Sequence, residues 1–262
     1  MAKLLRQTLA LYRSHFFLFL SISAVPSLVL FMLQLALDKM PAGRPHHPET
    51  VGLLATLGIW CASLLSRSIT TAATTVAVSD IYTDRLPDMW DSFARLSGRA
   101  WRIILAAFLV EIYVAFGALF CLVPGIYFAG VYGLAIPVIA LENMGPKRAM
   151  DRSEQLTKDS TGRIILVYFL TAILTGILVA MLNAGATYLG WTSNQSIVSK
   201  HVLSLVTAAI GGILFGPISA IALALEYYDL RVRFEGFDQR HLRTLMMTPD
   251  ALPQNPYANI NG

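Results

Sequence analysis

The sequence has little charge and only two cysteines. Asp, Glu, Lys and Arg make up 14% of its 262 residues, whereas a soluble domain has about 25%. Cys61 and Cys121 both lie inside apolar runs, which argues against a disulfide framework. The sequence contains no C-x-x-C motif, no Cys/His cluster, no H-E-x-x-H motif, no nucleophile elbow and no phosphate loop. It therefore predicts no metal site, no cofactor and no enzyme activity.

The sequence is rich in apolar residues, which make up 55% of the chain and form long runs. Runs of about 20 apolar residues are long enough to cross a bilayer as helices. The sequence predicts an all-α integral membrane protein whose single domain covers residues 1–245, followed by a flexible, proline-containing tail at 246–262. The six predicted spans cover about 16–37, 51–79, 102–122, 125–142, 163–189 and 202–226.

The basic residues predict the orientation of these spans. The net charge of +4 is divided into short clusters between apolar runs, which does not favour nucleic-acid binding. The N-terminal segment, the two long connections and the C-terminal tail hold three, four, five and four Lys or Arg, whereas the outer loops hold three in all. Because basic loops stay on the cytoplasmic side, both termini are predicted to be cytoplasmic.

A threefold repeat is predicted from the order of the segments. Each unit would have a basic amphipathic helix at the interface, a span, a short outer connection and a span back, which gives three hairpins. The returning spans each end in an acidic residue, and we call Asp80, Glu142 and Glu226 the exit acids. Chance alignment of apolar helices is the alternative explanation.

Arg67 is the residue that stands out most in the spans, because a charge near the bilayer centre is costly and needs a partner. Glu111 in the third span is the candidate partner. An ion pair with Glu111, a site for an anionic lipid head group or solute, and snorkelling without a partner all remain open. Gly216 and Pro217 in the sixth span predict either a hinge for gating or a packing notch.

Three short segments resemble a known family. Residues 122–127, 141–146 and 227–238 are similar to the membrane domain of glycerophosphoryl diester phosphodiesterase, with the resemblance best over about 85–240. The resemblance implies about six spans in a bacterial inner membrane. It does not imply phosphodiesterase activity, because the barrel domain and its metal-binding acids are missing from this sequence.

The function that follows is a non-catalytic structural or assembly subunit of a larger membrane complex. Its expected partners are membrane lipids and other membrane protein subunits, with no nucleic acid. The alternative is a transporter or binder of lipid or a small anionic solute that uses Arg67. A third hypothesis, an intramembrane enzyme acting on lipid, would need a site assembled across several helices.

Overall fold

The computed structural model describes residues 2–38, 48–158, 160–192 and 197–235, and within these ranges it contains helices and no strand. The predicted tail at 246–262 lies outside the described residues, and the single-domain boundary stays a prediction. The helices are α1 (Ala2–Ser14), α2 (Phe16–Asp38), α3 (Pro48–Tyr82), α4 (Met89–Ser97), α5 (Ala100–Phe120), α6 (Leu122–Tyr132), α7 (Ala135–Glu142), α8 (Pro146–Thr157), α9 (Thr161–Thr192) and α10 (Ile197–Glu235).

Six segments in the described part of the chain are long and apolar enough to cross a membrane, which confirms the predicted all-α membrane class. They are Phe16–Leu37, Leu53–Tyr82, Ala100–Phe120, Val123–Glu142, Thr161–Tyr188 and Val202–Arg233. Consecutive spans contact each other: α2 packs on α3, α5 on α6, and α9 on α10. The three-hairpin grouping and the interfacial position of α1, α4 and α8 stay predictions.

Helix α10 is the centre of the bundle. It contacts α1, α2, α3 and α9 along its length, and its last turns also contact α7 and α8. Residues 217–227 of α10 are buried apart from Ser219, which is half-buried. Its first half is less covered, so the interhelical packing is tightest toward the end that carries the exit acids.

Helix α3 is also more buried in its C-terminal half than in its N-terminal half. Ala72, Ala73 and Ala77 are fully buried, and with Thr74 and Thr75 they form a run of small residues that lets neighbouring helices approach closely. The first half of the helix is open, with Leu53 and Trp60 among its exposed side chains. The second span is therefore packed inside the bundle over its C-terminal half only.

The fourth span is interrupted just before Pro137. Pro137 has no N–H to donate to the carbonyl of Gly133, and the helix breaks between Tyr132 and Ala135. The hydroxyl of Tyr168 on α9 donates to that Gly133 carbonyl at 3.1 Å. Ser153 of α8 satisfies two more backbone groups at the break. Its Oγ donates to Val131 O at 2.6 Å and accepts from Leu134 N at 3.2 Å. Side chains from two other helices thus form hydrogen bonds with the backbone groups that the break leaves without helical partners.

In α10, side chains of other helices likewise bind the carbonyl groups that precede a second proline. Pro217 leaves the carbonyl of Ile213 without its helical donor, and Ser23 Oγ of α2 donates to that oxygen at 2.7 Å. The Tyr12 hydroxyl of α1 donates to the next carbonyl, Leu214 O. Burial raises the pKa of the Tyr12 phenol, so it stays a donor at physiological pH.

The boundary between the third and fourth spans differs slightly from the predicted one. The predicted spans end at about 122 and begin at about 125, but Pro124 and Gly125 both lie in the first turn of α6. Proline is tolerated there because the first N–H groups of a helix have no partner within it. The chain turns at Cys121 instead, which is extended with φ −167° and ψ 149°.

We predict that Gly133→Ala destabilises the protein. A Cβ at this position would collide with the Tyr168 ring and lie 2.8 Å from Ala129 O, so the fourth span and α9 would have to separate. The expected loss is about 1–3 kcal/mol of unfolding free energy, measured by denaturant titration in detergent.

Gly176→Ala in α9 is the matched control, because a Cβ there meets nothing within 4 Å. Alanine is the better helix former, so this variant should be as stable as the wild type or slightly more stable. Equal behaviour of the two variants would contradict the close contact between Gly133 and Tyr168.

Candidate functional site

The exit acids lie near the ends of their helices, and each contacts an arginine from a neighbouring segment. Asp80 of α3 is 3% exposed in its side chain and accepts from Arg95 Nη1 of α4 at 2.7 Å. Arg95 comes fifteen residues later, on the first connecting helix. This pair ties α4 to the span that precedes it.

The second pair involves the most deeply buried acid. The Glu226 side chain of α10 is fully buried, and Arg163 Nε of α9 lies 2.8 Å from its Oε1. The same guanidinium places Nη2 2.7 Å from Oδ2 of Asp229 one turn later. Arg233 lies 3.0 Å from the same Asp229 oxygen at the protein surface. Arg163 therefore bridges two carboxylates and fixes α9 against α10.

Glu142 binds two partners at the end of α7. The hydroxyl of Tyr227 donates to its Oε1 at 2.6 Å, and Arg152 Nε of α8 lies 3.4 Å from Oε2. Arg231 reaches back one helical turn and donates to the same Tyr227 hydroxyl at 3.1 Å. Tyr227 is fully buried, so it couples α10 to the ends of the fourth span and of α8.

Two more arginines bind backbone oxygens at the end of α7. Asn143 has the left-handed conformation with φ 55°, which an Asn tolerates at a helix C-terminus. Arg102 of α5 donates to its main-chain carbonyl at 3.0 Å and to its side-chain oxygen at 2.9 Å. Arg99 donates to the carbonyl of Ala140. Cations at this position also interact favourably with the negative end of the helix dipole.

Chemically, this arrangement joins helices. The carboxylates of the exit acids pair with arginine side chains of other helices, and Glu142 also accepts a hydrogen bond from Tyr227. In the ranges that the structure covers, no group of three or more His, Cys, Asp and Glu side chains could hold a metal ion. Buried ion pairs contribute to fold specificity more clearly than to net stability, because desolvation offsets much of their attraction.

The structure places Arg67 and Glu111 on α3 and α5, which contact each other. Arg67 is exposed and Glu111 is half-buried. Within the described residues no ion pair joins them, so their pairing stays a prediction. The backbone carbonyl of Arg67 accepts from Thr71 Oγ1 at 2.9 Å, as is usual for a threonine inside a helix.

The Gly216–Pro217 segment lies inside α10 without ending the helix. A Cβ on Gly216 would meet nothing within 4 Å, so close packing does not require this glycine. Its carbonyl accepts from Ser219 Oγ at 3.0 Å. The bonds from Ser23 and Tyr12 tie the backbone just before the proline to α2 and α1. Hinge motion is untested and stays a prediction.

Sequence reasoning identified the exit acids but missed what they bind. Their regular position at the span ends was the visible signal, and Arg163 was counted only for topology. The bond between Tyr227 and Glu142 joins residues 85 positions apart, and the proline carbonyls accept from Ser23 and Tyr168 on distant helices. One sequence carries no signal for such long-range contacts.

Comparison with known proteins identifies one family. Residues 107–228 match the family described as the membrane domain of glycerophosphoryl diester phosphodiesterase. This confirms the resemblance over a narrower range than the predicted 85–240. The matched domain is the membrane domain and not the catalytic one. Searches of the curated proteins and of the solved structures found no match.

We predict that Arg163→Met destabilises the protein strongly. It leaves the buried Glu226 carboxylate without its cation, and removing one partner of a buried pair costs about 3–5 kcal/mol. Adding Glu226→Met should restore most of this loss, because two apolar side chains of similar volume replace the pair. Unfolding in detergent, followed by tryptophan fluorescence, measures both effects.

Arg233→Ala serves as the control because its side chain is 63% exposed and pairs with Asp229 on the same helix. An exposed pair of this kind contributes about 0–1 kcal/mol. If Arg233→Ala were as damaging as Arg163→Met, burial of Glu226 would not be the cause.

Proposed function

We propose that this chain, whose residues 107–228 match the membrane domain of glycerophosphoryl diester phosphodiesterase, is a non-catalytic assembly subunit of a larger membrane complex. The observation that supports this function most is the position of Arg67. It lies fourteen residues after Leu53 and fifteen before Tyr82, at the middle of the second span, and it is exposed on the surface of the bundle.

An exposed arginine at mid-span needs a partner outside its own helix bundle. At 1.5 Å per residue it is about 21 Å along the helix from either end of the span. A charge at the bilayer centre costs at least about 2.5–3.5 kcal/mol, and such residues usually pair or face a protein interior. A neighbouring subunit would supply both the partner and the covering surface.

The surroundings of Arg67 fit a protein contact. Leu57 and Trp60 precede Arg67 by ten and seven residues, so the three share one stripe of α3, and both apolar side chains are exposed. Apolar side chains are satisfied by lipid tails, but the guanidinium is not. The stripe thus combines a surface that another helix can pack on with a charge that another helix can neutralise.

The non-catalytic part of the proposal rests on the chemistry of the exit acids. Glu142 and Glu226 are engaged with Tyr227 and Arg163, so the described carboxylates in these spans hold helices together. The family match concerns a membrane domain. Both observations favour a role in assembly over a role in catalysis.

The second candidate function also uses Arg67. An anionic lipid head group or a small anion could bind the exposed guanidinium, which makes the chain a binder or transporter of such a molecule. A transporter would also need movement near Pro217, and this movement would have to break the bonds from Ser23 and Tyr12. These bonds make the assembly role the better supported proposal.

We further propose that the protein lies in a bacterial inner membrane with both termini in the cytoplasm. The distribution of basic residues between the predicted loops supports this orientation. Membrane lipids are then partners throughout, and the end of the bundle that carries the exit acids faces the cytoplasm.

The assembly proposal predicts that Arg67→Leu releases the chain from its complex. Wild-type protein purified in a mild detergent should elute as a complex well above the 28.7 kDa chain mass, and Arg67→Leu should elute as the monomer. Arg67→Lys keeps the charge and should retain most of the complex. Size-exclusion chromatography with light scattering makes the measurement.

Leu57→Ala is the control on the same stripe, because it removes exposed apolar surface without touching the charge. A wild-type chain that is monomeric and carries bound anionic lipid would refute the assembly role and favour the binder. A monomer with nothing bound would refute both.

The proposed orientation predicts which cysteine a thiol reagent reaches. Cys121 is exposed at the turn between α5 and α6, on the predicted outer side. In a Cys61→Ala background, a reagent that cannot cross the inner membrane should label Cys121 on intact cells. A cysteine at Ser97, exposed on α4, should be labelled only after the membrane is opened. The reverse pattern would contradict cytoplasmic termini.

A further inference from the structure

We propose that the chain forms a two-fold symmetric homodimer in which Arg67 of each copy pairs with Glu111 of the other. This inference rests on the proposed assembly function and names a second copy of this chain as the partner. Its starting point is a pair of opposite charges on two spans that contact each other, between which the described residues show no ion pair.

Neither charge has an ion-pair partner among the described residues. The described residues include no ion pair or side-chain hydrogen bond that involves the Arg67 guanidinium or the Glu111 carboxylate. Other acidic residues in the described spans behave differently, since Asp80, Glu142 and Glu226 each bind an arginine. Arg67 and Glu111 therefore differ from the exit acids, which pair with arginines of the same chain.

Both residues lie near the middle of their spans. Arg67 is fourteen and fifteen residues from the ends of Leu53–Tyr82, and Glu111 is eleven and nine residues from the ends of Ala100–Phe120. Counted from the proposed cytoplasmic ends, the two positions differ by four residues, or about 6 Å along the helix. The length of an arginine side chain can cover such a difference across an interface.

Two-fold symmetry uses both charges at once. In a symmetric dimer, if residue i of one copy contacts residue j of the other, j also contacts i. One interface would therefore form two Arg67–Glu111 pairs and leave no charge of either kind in lipid. A different protein would have to carry its own matching acid and base to achieve the same result.

The apolar surface around the charges suits helix packing. On α3, Leu57 and Trp60 lie on the Arg67 stripe and are exposed. On α5, Ala115 and Leu119 follow Glu111 at four and eight residues and are also exposed. Small and apolar side chains around a polar pair are typical of interfaces between membrane helices.

Charge reversal with two tagged copies tests the proposal. Arg67→Glu and Glu111→Arg are each expressed alone, where like charges face each other across the dimer, and both should lose self-association by about tenfold or more. When the two variants are co-expressed, every pair is again between opposite charges. The expected result is that each tagged chain captures the other at the wild-type level.

Co-expression of the two single variants distinguishes an Arg67–Glu111 pair between two chains from a pair within one chain. If Arg67 and Glu111 paired inside a chain, the double variant Arg67→Glu/Glu111→Arg would recover, but the mixture of single variants would not. That outcome would overturn the proposal. Recovery in both the double variant and the mixture supports it.

A cysteine pair gives a second measurement that does not depend on reversed charges. In a background without Cys61 and Cys121, one tagged chain carries Arg67→Cys and the other Glu111→Cys. Oxidation in the membrane should link the two tags, whereas cysteines at the matched exposed positions Leu53 and Leu105 should not link. No cross-link together with no self-association of the wild type would refute the dimer.

These results also separate the dimer from the wider assembly role. A wild-type complex that depends on Arg67 but contains one copy of this chain and a different protein would refute the dimer and leave the assembly function standing. A wild-type monomer would refute both.

Discussion

Every backbone polar group that enters a bilayer must be hydrogen-bonded within the protein, and the fold of this chain depends on that constraint. Pro137 and Pro217 each deprive a helical carbonyl of its donor in the middle of a span. Tyr168 and Ser23 supply the missing hydrogen bonds from other helices. Since an unsatisfied backbone group in lipid costs several kcal/mol, these two side chains determine which helices pack together.

The acidic residues at the end of the bundle also have partners within the protein. Asp80, Glu142 and Glu226 lie where three spans end, and each is neutralised by an arginine from another helix. The tight packing of α10 and of the alanines in α3 is found at this end as well. The charge pairs and the close helix contacts therefore lie in the same region, and the opposite half of the bundle is more exposed.

The sequence was sufficient to predict the class of fold, because apolar runs of spanning length need no tertiary information to recognise. It also located the exit acids, since each directly follows an apolar run. It could not predict that the fourth span breaks at Gly133, because that break depends on Ser153 and Tyr168 as well as on Pro137. The boundary between the third and fourth spans was misplaced near Pro124 because proline occurs in the first turn of a helix as well as after the end of one.

Arg67 shows where sequence reasoning and structure complement each other. Its cost in lipid follows from its position alone, and so does the need for a partner. Only the structure shows that the guanidinium is exposed and that the described part of the chain offers it no acid. The exit acids pair with arginines of the same chain, whereas the described residues show no ion pair for Arg67 or Glu111, and this difference is the basis of the proposed contact between chains.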